Sequence, residues 1–123
     1  MLKYFLIILI FICSVANAEE TGIQFFEKNI RPVLTTQCYS CHSSTSKDVK
    51  GGLSLDTRQG ILNGGDSGAS IVPGKIDESL LLDYIESGDM PPDNPLSEEV
   101  VNNFRQWIKM GMPDPRYKSE NRA

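Results

Sequence analysis

Cysteines at positions 38 and 41 are followed directly by a histidine, in the run Cys38-Tyr39-Ser40-Cys41-His42. On one helical turn, residues three and four apart share a face, so both thiols and the imidazole can be presented to a single flat ligand. The chemistry this allows is covalent attachment of a c-type haem. The thiols add across the two vinyl groups of the porphyrin, and the imidazole reaches the iron as proximal ligand. Two other chemistries use the same residue types. A redox-active Cys-x-x-Cys pair of thioredoxin type needs a βαβ pattern, which the chain lacks. A zinc site needs four ligands, and beyond these three residues the sequence holds no histidine and one cysteine, so carboxylates would have to complete it. Attachment of one haem c fits the residues best.

The second axial position calls for another donor, and a methionine stands in Gly88-Asp89-Met90-Pro91-Pro92. A thioether is a weak, neutral ligand that stays on iron only where the backbone holds it. Pro91 and Pro92 supply that stiffness, and the proline after Met90 pushes it towards an extended conformation. Met110 and Met112 are rivals, the first on or beside the last helix and the second in a segment before Pro113. Met90 is the expected ligand, against the alternative of a gap-filling core residue.

These residues must be carried by a small chain. Met1 to Ala18 has Lys3 at its positive end, an apolar run from Tyr4 to Val15, and Ala16-Asn17-Ala18 as a small-residue cleavage site, which reads as a secretory signal peptide. The run is shorter than the roughly 18 residues that span a bilayer, so a retained membrane tether is the weaker reading. Cys13 falls inside it, after an Ile12 too bulky for a lipoprotein cleavage site. Without the signal, 11 basic residues stand against 16 acidic ones, a formal charge of −5. That balance argues against nucleic acid or an anionic membrane as main partner. The length allows one domain, expected over 19–115, with a disordered polar tail over 116–123.

A helix is predicted from about Ile23 to Thr36, bent by Pro32 just before the cysteine motif. Ser43 to Asp48 reads as a surface loop, and Leu53 and Leu55 as a short extended piece facing the ligand or core. Asp56 with Gln59 resembles a capping box for a helix from Thr57 to Leu62. Gly65-Asp66-Ser67-Gly68 looks like the nucleophile segment of a serine protease, but the single histidine is already in the cysteine motif, so no Ser-His-Asp triad can form and a tight loop is expected. Ile71-Val72-Pro73-Gly74 is extended and closed by a turn. Asp77 is the expected cap of an apolar helix that Gly88 ends. The last helix runs from near Ser97 to Gly111, with Trp107 as a core residue, and the residues from Asp114 onward read as a polar tail.

With these residues in place the chain resembles the cytochrome c superfamily, and within it the small haem domain described from planctomycetes. The likeness lies in Phe26, Ile30, Pro32 and Leu34 before the cysteine motif, then Gly52 to Arg58, Gly64 to Gly68, Ile71 to Gly74, Ser79 to Leu82 and Asp89 to Pro92. It implies an all-α, class I-like cytochrome c fold of four or five helices around one covalently bound haem. The first and last helices would cross beside the haem, with Met90 opposite His42. The function expected is an exported, periplasmic electron carrier. It would not be an enzyme in its own right, and it would meet a donor dehydrogenase or an acceptor oxidase or reductase transiently. The alternative is a haem-based enzyme or sensor, a peroxidase or gas binder, in which Met90 leaves the iron and Arg58 or Arg105 serves the distal side. A thiol-disulfide oxidoreductase, with Cys38 and Cys41 free of haem, is the third reading.

Overall fold

The computed structural model describes residues 20–117; the expected signal peptide and the residues from Lys118 onward lie outside them. Helical backbone opens at Gly22 behind a reciprocal cap: Thr21 Oγ1 accepts the Gln24 N–H at 3.1 Å, and Gln24 Oε1 accepts the Thr21 N–H at 2.8 Å. From there α1 continues to Cys38, through α segments Gly22–Phe25 and Arg31–Val33 that alternate with wider π turns Phe26–Ile30 and Leu34–Cys38. The predicted helix is therefore longer at its far end and does not break at Pro32. Proline has no N–H, and its ring crowds the carbonyl four residues back. The backbone widens just ahead of it, with the Arg31 N–H reaching the Phe26 carbonyl five residues back. The hydroxyl of Thr36 donates to the Pro32 carbonyl at 2.8 Å, so the disturbed turn stays bonded.

Three further helices follow: α2 (Arg58–Asn63), α3 (Leu80–Ser87) and α4 (Glu98–Lys109). Among the described residues there is no β-strand, only one isolated bridge between Gly65 and Gly68, so the fold is all-α. No described helix is long and apolar enough to cross a membrane. The core is built where the first and last helices meet. Phe26, Ile30 and Leu34 of α1 are buried with Val101, Phe104, Trp107 and Ile108 of α4. The Phe26 and Trp107 rings lie 5.5 Å apart, and Phe104 meets Trp107 edge-on at 6.0 Å. The indole N–H of Trp107 donates to the Pro113 carbonyl at 2.8 Å, which satisfies its one polar atom inside the core.

Two helix starts differ from expectation. Thr57, not Asp56, caps α2, accepting the Gly60 N–H at 2.9 Å. Asp56 is engaged elsewhere, taking the Ser44 hydroxyl at 2.6 Å and its N–H at 3.2 Å, and so pins the loop after His42. Asp77 lies in a separate 3-10 turn, Ile76–Glu78, and α3 begins after Ser79. The Ser79 hydroxyl makes no cap bond; it donates to the Lys75 carbonyl at 2.8 Å and accepts the Val72 N–H at 3.1 Å. Gly88 at φ 81° ends α3 and α4 starts just after Ser97, both as predicted, and Ser97 caps α4 by accepting the Val100 N–H at 3.2 Å.

The expected polar tail is a correction. Asp114 and Arg116 are buried, and Pro115–Tyr117 forms a 3-10 turn packed on the core. The two charges pair with each other at 2.7 Å instead of with water. Of the expected tail, 118–123 lies outside the described residues.

Candidate functional site

The cysteine motif begins where α1 ends. The π turn Leu34–Cys38 carries the first thiol, and the amides of Cys41 and His42 both reach back to the Cys38 carbonyl, at 3.3 and 3.0 Å. The motif is thus one tight helical turn, as its spacing required. His42 is then held by the extended piece opposite it. Its carbonyl accepts the Leu55 N–H at 2.8 Å, and its ring Nδ1 lies 3.3 Å from the Leu53 carbonyl. A carbonyl only accepts, so Nδ1 carries the proton and donates, which leaves the lone pair on Nε2. The Cys41 carbonyl accepts the Lys50 N–H at 2.9 Å, closing the loop on its other side.

The glycine loop sits against this one. Gly65 exchanges bonds with Gly68 in a tight turn, and the Asp66 N–H donates to the Gly51 carbonyl at 2.8 Å. A Cβ at Gly65 would lie 2.4 Å from that same carbonyl oxygen, so only glycine allows the approach. The protease-like sequence is a structural turn, and its serine faces no histidine-based triad.

Between these parts lies an apolar cavity of about 440 Å³. Cys38, Cys41, His42 and Met90 all line it. So do Leu53 and Leu55 of the extended piece, Leu80, Leu81, Tyr84 and Ile85 of α3, and Phe104 of α4. The volume is that of an ordinary cofactor pocket. Met90 is positioned by its N–H, which reaches the Tyr84 carbonyl at 3.1 Å, and by the loop it shares with Pro91 and Pro92, which also line the cavity. The peptide bond between Met90 and Pro91 is cis. Asn94 in this loop donates to Gln37 at 3.2 Å, which ties the loop to the last turn of α1 beside Cys38. The rival methionines stand apart from the cavity. Met112 is fully buried in the core, and Met110 is 41 % exposed at the end of α4.

Among the described residues Lys50 is the one charged side chain on the lining, and its ammonium pairs with Asp48 at 2.8 Å. Neither Arg58 nor Arg105 lines the cavity; Arg105 is engaged with Glu86 and Asn102. Burial pushes the Cys38 thiol up to about 11. Sequence reasoning missed the Leu53 carbonyl as the partner of the His42 ring, because backbone groups leave no residue signature. It also missed the buried Asp114 and Arg116.

Searches of curated proteins and of solved structures find no match. Residues 38–94 match the model of the family described as Planctomycete cytochrome C. Cytochromes c are in general haem-binding electron carriers. The matched span runs from the first cysteine of the motif to just past the Met90 loop and includes Cys38, Cys41, His42 and Met90, all of which line the cavity, so over residues 38–94 the chain is similar to a cytochrome c domain of the planctomycete type.

Proposed function

We propose that the chain is an exported, periplasmic electron carrier with a class I-like cytochrome c fold, one haem c joined covalently to Cys38 and Cys41, and iron ligated by His42 and Met90. The observation that carries this reading is the convergence of two thiols, an imidazole and a thioether on one apolar cavity of about 440 Å³. The donor set fits the group: thiols for the vinyl carbons, an imidazole with its Nδ1 proton committed to a carbonyl, and a soft sulfur from a bonded loop. When bound, the haem supplies an iron centre that takes up and returns one electron.

The chain's own residues do the rest. The Leu53 carbonyl orients the His42 ring. Leucines of α3 and the extended piece, with Phe104, give the cavity its apolar wall. With His42 and Met90 both holding the iron, the group would have no open site for a substrate, which would favour electron transfer over oxygen chemistry. A transient partner, a dehydrogenase on one side and an oxidase or reductase on the other, follows from that role.

A haem enzyme or sensor finds one observation in its favour, the 37 % exposure of Met90, which suits a labile ligand. Against it, no arginine among the described residues lines the cavity, and the sequence has no second histidine. The thiol-disulfide reading is disfavoured by Cys38, since a reactive cysteine needs a lowered pKa and burial raises this one to about 11. The visible spectrum of the purified, exported protein tests the proposal. Six-coordinate, low-spin haem supports the carrier, high-spin haem the enzyme or sensor, and absence of haem refutes both.

A further inference from the structure

Asp114 and Arg116 lie outside the span that matches the family, and neither lines the cavity. Their side chains are nonetheless withdrawn from water, at 0 % and 1 % exposure. A buried ion pair is weak support for stability by itself, because desolvation of both charges offsets their attraction. What it can supply is a fixed geometry. Asp114 grips the guanidinium along one edge, with Nε donating to Oδ1 at 2.9 Å and Nη2 to Oδ2 at 2.7 Å. The fork is thereby oriented, and Nη1 donates to two acceptors on other parts of the fold: the Tyr39 hydroxyl at 2.6 Å and the Leu55 carbonyl at 2.8 Å.

Both acceptors adjoin His42. Tyr39 stands between the two cysteines of the motif. Leu55 holds the His42 carbonyl through its own N–H at 2.8 Å, and Leu53, two residues earlier, accepts from the His42 ring at 3.3 Å. One guanidinium therefore bridges the turn that bears His42 and the extended piece that orients it. The same guanidinium lies 5.0 Å from the centre of the Phe26 ring, on the helix that delivers Cys38.

We propose that Asp114 and Arg116 are positioning residues for His42, a clamp that sets the register between the cysteine turn and the Leu53–Leu55 wall. The inference deepens the proposed function, since it rests on His42 being the iron's ligand. Its test uses the purified, exported protein with ring-¹⁵N histidine. His42 is the only histidine in the sequence, so its two ring-nitrogen signals are assigned without ambiguity. Tyr39→Phe removes one hydroxyl and keeps the ring. Arg116→Lys keeps the charge facing Asp114 and loses the fork. Ile108→Val, a core change outside the network, is the packing control.

The clamp predicts that Tyr39→Phe and Arg116→Lys both displace the His42 ring signals at unchanged helical circular dichroism, while Ile108→Val lowers the melting temperature and leaves the signals in place. Ring signals that stay put in Tyr39→Phe would overturn the proposal and reduce the pair to a contribution to stability. Should Arg116→Lys fail to fold, Tyr39→Phe alone decides. The visible spectrum of the same parent sample reads haem content separately, so a parent without haem would sink the proposed function while the ring signals still decide the clamp.

Discussion

The three methionines of the described region divide ligation from stability, and replacing each by alanine separates the two. Met112 is fully buried in the core between α4 and the C-terminal turn. Truncating such a side chain costs ~2–5 kcal/mol. At about 4–8 °C per kcal/mol for a domain of this size, the melting temperature of Met112→Ala falls by roughly 10 °C or more. Its visible spectrum should not change, because Met112 does not line the cavity. Met110, 41 % exposed, should be within about 0.5 kcal/mol of the parent in stability, with the same spectrum. Met90→Ala is the reverse case. It takes a soft sulfur from the cavity, so the iron should shift towards high spin, the ferrous form should bind carbon monoxide quickly, and the reduction potential should fall because a ligand that favours ferrous iron is gone. Thermal melts and oxidised and reduced spectra of the three proteins are sufficient. If Met90→Ala kept the low-spin spectrum and potential while Met110→Ala or Met112→Ala lost them, the argument from the Pro91 and Pro92 loop would be wrong.

Other consequences follow from the same geometry. Gly65→Ala places a Cβ 2.4 Å from the Gly51 carbonyl, and the overpacking should destabilise the domain by ~1–3 kcal/mol, read from the melting temperature; an unchanged melt would refute the close approach. In the chain without haem, the folded state holds the Cys38 proton up to about 11, against 9.0 for an unperturbed thiol. The unfolded chain loses that proton first, so this contribution to stability is complete below 9.0 and lost as pH rises through about 11. Alkylation of Cys38 by iodoacetamide should accordingly lag behind that of a small free thiol at pH 8 to 9, and equal rates would contradict the burial. The chain is acidic, and Lys50 at the cavity is paired with Asp48, so reduction by a cationic donor should slow with ionic strength over a Debye length of about 8 to 10 Å, while an anionic donor should speed up. Identical, salt-independent rates for the two donors would remove the electrostatic argument.

What was legible in the sequence is what local chemistry dictates. Cys38, Cys41 and His42 must share a turn for any ligand to meet them together, and they do. Leu53 and Leu55 alternate, and both face the cavity. Gly88 marks the end of α3 and Ser97 the start of α4 where the structure has them, and Trp107 lies in the core as its type suggested. Two of the misreadings share one cause, a polar side chain recruited by a partner elsewhere in the chain. Asp56 has the type and spacing of a cap, but Ser44, twelve residues earlier, takes its carboxylate. Arg116 reads as a solvated tail until Tyr39, 77 residues before it, supplies an acceptor and Phe26 a ring face. Pro32 was legible as a disturbance but not as a π turn, because whether a helix breaks or widens depends on the packing of Phe26 and Ile30 against Trp107 and its neighbours.

In the proposed carrier one haem is bonded to Cys38 and Cys41 of an exported chain. The intact mass of the purified protein, recorded after full denaturation, tests it in one measurement. The expected result is a polypeptide beginning at Glu19 and carrying the added mass of a single haem. A denatured chain at the bare polypeptide mass, with the haem released or never present, would contradict it.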